Sequence, residues 1–169
     1  MAKKKKKDVK RKAVTKKEKR IRVGLTAGAM DLCHAGHILM LKEARKVCDY
    51  LIVLLHKDPS VAPAEYRGKK KNMPIMSFEE RKIILEAIKY VDKVVPYETE
   101  EDLLNLLIKI KPDVRIIGAD WKGKQYTGWD LPIEMYFNSR NHSFSTTELR
   151  KRIYEAEKAK LEGDNGIPS

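Results

Sequence analysis

The chain has 169 residues, 42% hydrophobic and 36% charged, with a formal net charge of +12. That is one domain's length with enough apolar residues for a core. No apolar run is long enough to cross a bilayer, and no apolar segment follows the first charges, so neither a membrane span nor a secretory signal is expected. The charge is localised: twelve Lys or Arg fall within residues 1–20 against Asp8 and Glu18, so that segment carries +10 and the other 149 residues only +2. Residues 1–20 are expected to form a disordered basic tail, either solubilising or touching nucleic acid or an anionic surface. Residues 21–162 are the folded domain and 163–169 a frayed end. Cys33 and Cys48, both in apolar surroundings, suit reduced, buried thiols in a cytoplasmic protein.

In chain order, Ile21–Thr26 predicts a short buried strand that breaks at Gly28. A helical pattern begins near His37, with Ile38, Leu41, Ala44 and Cys48 on one face. Tyr50–Leu55 is a continuous apolar run, as expected of a parallel strand covered on both faces. Residues 57–76 are polar and irregular, and contain the basic cluster 67–71. Ser77-Phe78-Glu79-Glu80 reads as a capping box opening a helix whose apolar face is Ile83, Ile84, Ala87 and Ile88. Lys93–Pro96 is a third strand. Thr99 opens a helix with Leu103, Leu106, Leu107 and Ile110 inward. Val114–Ile117 and Glu134–Phe137 are the fourth and fifth strands, separated by a Gly-rich loop. Ser145-Thr146-Thr147-Glu148 reads as a second capping box, with its helix running to about Glu162. Alternating strands and helices predict an α/β fold, a Rossmann-like doubly wound five-stranded parallel sheet, with ligands at the carboxyl ends of its strands.

The most informative turn is His34-Ala35-Gly36-His37. A helix start offers unbonded N–H groups and a positive dipole end, and two imidazoles there add donors aimed at the same anion. A phosphate-handling site is the expectation.

Gly28-Ala29-Met30-Asp31-Leu32-Cys33-His34-Ala35-Gly36-His37 resembles the G-x-F-D-x-x-H-x-G-H pattern of the cytidylyltransferase-like nucleotidyltransferases, with Met30 in place of Phe. Asp49–Val53 is similar to that family's second strand, and Glu80-Arg81 with Tyr90-Val91-Asp92 to its middle segment. Arg140–Thr147 is similar to its R-T-x-G-x-S-T-T motif. The resemblance covers about residues 21–155. In pattern it lies nearest the glycerol-3-phosphate cytidylyltransferases and their neighbours that act on choline phosphate, ethanolamine phosphate or sugar phosphates.

The resemblance implies that a small phosphate monoester attacks the α-phosphate of CTP and that pyrophosphate leaves. A phosphate monoester with a second pKa of about 6 is largely ionised at neutral pH, so alignment and charge neutralisation matter more than a strong base. By the same resemblance His34 and His37 would meet the α- and β-phosphates. The backbone of Ala29 and Met30 would hold the triphosphate, and Asp31 and Gly36 would complete that turn. Arg140, Ser145, Thr146 and Thr147 would grip its far end. A loop lysine, Lys70 or Lys71, would touch both substrates' phosphates. Asp120, before Trp121, would lie near the base. Mg²⁺ would arrive with the nucleotide rather than on protein ligands, and the family implies a homodimer.

Other readings stay open. An adenylyltransferase of the same fold would use ATP with a sugar-phosphate or flavin acceptor, and a non-catalytic protein would bind nucleic acid through the tail. Cys33 is read as packing rather than as a nucleophile, and Arg81 as either a helix-to-loop ion pair or a ligand contact. Two departures bear on the substrate. The family's T-x-G is Asn141-His142-Ser143 here, and Tyr97–Leu103 is acidic where glycerol-phosphate enzymes carry a Trp and a Lys.

Overall fold

The computed structural model describes residues 20–61 and 71–164. Among these residues five strands, β1 (Val23–Gly28), β2 (Tyr50–His56), β3 (Lys93–Tyr97), β4 (Val114–Gly118) and β5 (Glu134–Asn138), alternate with four α-helices. These are α1 (Ala35–Ala44), α2 (Phe78–Glu86), α3 (Glu100–Ile110) and α4 (Thr146–Asp164). The sheet order is β3-β2-β1-β4-β5, and every neighbouring pair is parallel. The chain winds outward from β1 to β3, then returns to place β4 on the other side of β1. The strand order therefore reverses between β1 and β4, the expected position for a ligand crevice.

β2 explains the packing. Its side chains alternate, so Leu51, Val53 and Leu55 join one core with Leu41, Ala44 and Leu85, while Ile52 and Leu54 join a second with Leu103 and Leu107. One layer is thus covered by α1 and α2 and the other by α3. Gly24 lets the chain after α1 approach β1, because a Cβ there would stand 2.6 Å from Cys48 Sγ.

The seam between the two halves of the sheet is short. β1 and β4 pair only at Gly24–Val114 and Leu25–Arg115, although β1 stays paired with β2 as far as Gly28. Beyond Leu25 the strands part, and the crevice opens between them.

The elements match the sequence expectations with local corrections. β1 runs Val23–Gly28 rather than Ile21–Thr26, and Ile21 is exposed. α1 begins at Ala35 and ends at Ala44; Cys48 reaches the core from the following turn, with its thiol on the Ala44 carbonyl at 3.2 Å. In α2 the inward stripe is Phe78, Arg81 and Leu85, continued just past the helix end by Ile88, whereas Ile83 is exposed. Arg20, assigned to the tail, pairs with Asp113 at 2.5 Å. α4 continues to Asp164. The rest of the tail, the 67–70 part of the basic cluster and residues 165–169 lie outside the described residues. Among the described residues no helix is long and apolar enough to cross a membrane.

Candidate active site

One cleft of about 520 Å³ at the sheet reversal is lined by Ala29, Met30, Asp31, His34, Gly36, His37, Lys71, Asp120, Arg140, Ser145, Thr146 and Thr147. Residues from four separate segments converge there. Lys70 lies outside the described residues.

The histidine turn caps its own helix. His34 is the N-cap of α1, and its Nδ1 accepts the Gly36 N–H at 3.1 Å; His37, at the third helical position, accepts the His34 N–H on its Nδ1 at 3.4 Å. This is a capping box with imidazoles where Ser and Glu usually stand. Two of the N–H groups expected to face an anion are therefore bonded within the turn. With Nδ1 accepting in both rings, the neutral tautomers carry their protons on Nε2. The rings stack with centroids 4.1 Å apart. His34 Nε2 lies 3.3 Å from Thr146 Oγ1, whose hydroxyl donates to the Asp31 carbonyl at 3.3 Å. The starts of α1 and α4 are joined through this link.

Burial, followed by the charges of His142 and Arg140, holds His34 below its ordinary pKa. Burial and then the charge of His34 bring His37 down to about 4, with Asp31 opposing. Both rings are neutral donors at pH 7.

Gly36 leaves room for this arrangement, since a Cβ would stand 2.9 Å from Cε1 of both His34 and His142. Gly36→Ala is expected to displace the rings and lower turnover about 10²-fold. Its thermal midpoint should change little, because the helix propensity gained with Ala offsets the capping bond that the displaced rings weaken. Turnover and melting of the variant check this.

The loop before α1 is held in an unusual conformation. Met30 and Leu32, on either side of Asp31, both have left-handed backbones with φ of 51° and 47°. Non-glycine residues adopt this at a cost of about 1–2 kcal/mol each. The Asp31 carboxylate opposes it by accepting the Ile75 and Met76 N–H groups at 3.0 Å, and Arg150 stands 3.6 Å away. Asp31 lines the cleft, yet both its oxygens are engaged by the protein.

Arg81 fastens the same loop from below and is neither of the things expected from the sequence. It is 2% exposed and bonded to carbonyls. Its guanidinium donates to Ala29 at 2.8 Å, His56 at 2.7 Å and Lys57 at 2.5 Å, and Nε to Met76 and Ser77 at 3.2 and 3.3 Å.

On the opposite wall, Arg140 stands 3.6 Å from Asp120, both about half exposed. Glu43 of α1 anchors the loop that carries Arg140, accepting from Tyr136 Oη and the Ser139 amide at 3.0 Å and from Ser139 Oγ at 3.1 Å. Ser145 Oγ accepts the Glu148 N–H at 3.1 Å, which caps α4 as expected. Cys33 and Cys48 are free, and burial raises both thiols above their ordinary range; neither is poised as a nucleophile. Among the described residues no three His, Cys, Asp or Glu side chains converge as a metal site.

A second, larger cleft of about 1260 Å³ shares a wall with the first along Ala27–Ala29, Lys71, Ile117, Asp120 and Trp121. Its far side carries Tyr97, Glu100, Glu101, Tyr126, Trp129 and Asp130. Lys71 therefore borders both.

A family model described as cytidylyltransferase-like matches residues 25–152. The chain belongs to the cytidylyltransferase-like nucleotidyltransferases. It is 41% identical over 135 residues to the bifunctional protein HldE of Campylobacter concisus, covering 80% of this chain but only 28% of that protein. It is 35% identical over 129 residues to the glycerol-3-phosphate cytidylyltransferase of Bacillus subtilis, covering 76% of this chain and 95% of that one. A solved lipopolysaccharide core biosynthesis protein of Thermoplasma volcanium aligns at a TM-score of 0.49 and 25% identity, over 82% of this chain and 90% of that one.

Within this cytidylyltransferase-like domain, Arg150 and Asn138 are site side chains that the sequence does not single out, and His142, known from the sequence only as a departure from the family motif, joins them. Arg150 bonds the Met73 carbonyl at 3.2 Å beside Asp31. Asn138, 3% exposed, lines the cleft at the end of β5. His142 faces the same space. The only sequence signal for any of them was that His142 interrupts a family motif.

Proposed function

We propose that this protein transfers CMP from CTP to a small phosphate monoester, glycerol-3-phosphate or a related alcohol phosphate, and releases pyrophosphate. The observation that carries the reading is that neutral Nε2 donors from α1 and the capped start of α4 face one cleft, while Lys71 joins it to a second. An oxygen of the acceptor phosphate forms the new bond to the α-phosphorus, and the bridging oxygen leaves with the electron pair on pyrophosphate. His34 and His37 meet the charge that builds there, Arg140 and Ser145–Thr147 hold the far end, and Lys71 aligns the acceptor. CTP enters as its magnesium complex, with the metal on phosphate oxygens and water.

CTP is favoured because the glycerol-3-phosphate cytidylyltransferase relative is matched over nearly its whole length. The acceptor is less constrained. Glu100, Glu101 and Asp130 on the second cleft, among Tyr97, Tyr126 and Trp129, suit an acceptor with hydroxyl or amine groups beyond those of glycerol, such as a sugar phosphate or an amino-alcohol phosphate.

Pyrophosphate release with CTP or ATP, crossed against a panel of phosphate monoesters, is expected to show turnover with CTP and one acceptor class. ATP turnover alone would make it an adenylyltransferase. Absence of turnover with every nucleotide would overturn the reading in favour of a binding protein, whose salt-sensitive nucleic-acid affinity would vanish on deleting residues 1–20 and survive His34→Ala. Sedimentation tests the homodimer that the family resemblance implies.

A further inference from the structure

One wall of the second cleft is held by a buried cation. Side chains of β4 alternate, so Val114 and Ile116 join the core under α1 and α2 while Arg115 faces the other layer. Its register partners are Leu25 on β1 and Met135 on β5. That layer is built on the apolar core of Leu25, Leu103 and Leu107, yet Arg115 is only 4% exposed. An apolar side chain would occupy the place without desolvating a charge, so filling space does not account for the guanidinium.

What the guanidinium holds is a turn. The Trp129 N–H bonds the Tyr126 carbonyl at 2.9 Å, and Gly128, third of the four residues, has φ of 72°, the pattern of a type II turn. Arg115 Nη1 donates to the Thr127 carbonyl, and its guanidinium stands 5.2 Å from the centre of the Tyr126 ring. Thr127 Oγ1 donates to Glu100, the first residue of α3. Gly128 lies close against the same helix, since a Cβ there would stand 2.9 Å from Leu107 Cδ1. Backbone bonds from Lys122 to Ala119, Lys124 to Trp121 and Leu131 to Gly128 run within the loop and do not fix its place on the domain. The turn carries Trp129, 54% exposed, and leads into Asp130, and both line the far side of the second cleft.

We propose that Arg115 and Glu100 are positioning residues for the acceptor. They set the Tyr126–Trp129 turn so that Trp129 and Asp130 meet the part of the acceptor remote from its phosphate. The proposal rests on the nucleotidyl transfer above, in which Lys71 aligns that phosphate. Among the described residues, neither Arg115 nor Glu100 lines the first cleft, where CTP is held.

The turn and the acceptor can be read separately. Trp121 and Trp129 are the chain's two tryptophans and both line the second cleft, so intrinsic fluorescence reports on it. Arg115→Met fills the apolar layer without the donor. Thr127→Val, a substitution outside the core, removes the bond to Glu100 and carries the test if the first variant does not fold. In both, acrylamide should quench the emission more strongly than in the parent. KM for the phosphate monoester that gives turnover should rise about tenfold, while KM for CTP stays within about twofold. Thr127→Ser, which keeps the hydroxyl, should match the parent in both readouts. In a Trp129→Ala background, Arg115→Met should add less than about threefold to the acceptor KM, because residues that act through one another are not additive. Parent-like quenching in Arg115→Met and Thr127→Val, a KM for CTP that rises as much as that for the acceptor, or full additivity with Trp129→Ala would overturn the inference. If the parent turns over no nucleotide, the proposed function fails on its own, and the quenching still decides whether Arg115 and Glu100 hold the turn.

Discussion

His37→Ala is expected to lower kcat by about 10²–10³-fold while the KM for CTP changes much less. The ring is neutral in the free protein, so it adds little to the ground-state attraction for a triphosphate. Its Nε2–H gains strength as charge accumulates on the departing oxygens, and an interaction of that kind appears in kcat. His37→Ala also removes half of the α1 cap, so a fall in stability of about 1 kcal/mol should accompany it. His37→Gln separates the two effects. Glutamine at the third helical position still accepts the His34 N–H, so the melting temperature should return while kcat recovers only in part. Equal losses in kcat and in CTP affinity would mean that the ring merely binds substrate.

The depressed pKa of His37 has a consequence for stability whose sign can be worked out. Its native value is about 4 against an ordinary 6.5. Between those limits the unfolded chain binds a proton that the native ring refuses, so stability is complete above pH 6.5 and falls as pH drops toward 4. Melting curves from pH 8 to 4 should decline more steeply for the parent than for His37→Gln.

Arg81→Leu should cost about 3–5 kcal/mol in urea unfolding, a large share of a domain's stability. Arg81 is a buried cation whose hydrogen bonds all run to backbone carbonyls, from the end of β1, the end of β2 and the turn before α2. Leucine would fill the space and leave those carbonyls unbonded, and the cost of such groups exceeds the gain from an apolar side chain. Arg81→Lys should recover only part, because one ammonium cannot reach the directions served by a planar fork. Turnover in the lysine variant should fall as well, since the Ala29 carbonyl leads straight into the left-handed turn at Met30. A loss below about 1 kcal/mol would show that water replaces the guanidinium.

These two residues mark what the sequence could and could not reveal. The strands were legible because Tyr50–Leu55 is apolar without interruption and Val114–Ile117 is apolar except for Arg115, and the site because His34, Gly36 and His37 fall at a strand-to-helix turn. The face of α2 was misread because apolar periodicity takes an arginine for solvent. Here Arg81 sits on the buried stripe, and Ile83 points outward. Whether a guanidinium can be buried depends on carbonyls from other segments, a non-local fact. The same holds for Asp31, whose partners are the amides of Ile75 and Met76. His34 and His37 were read as donors toward an anion; their service as the helix cap depends on ring orientation, which no spacing encodes.

That cap also acts as a detent on the rings. Half a turn of either imidazole would put a carbon where Nδ1 now accepts an amide, and α1 would lose part of its first hydrogen-bonded turn. The two Nε2–H vectors are therefore set when the helix forms, before any phosphate arrives. Little reorganisation remains for the reacting complex, and the ordering that a flexible donor would undergo at each turnover is completed once, during folding.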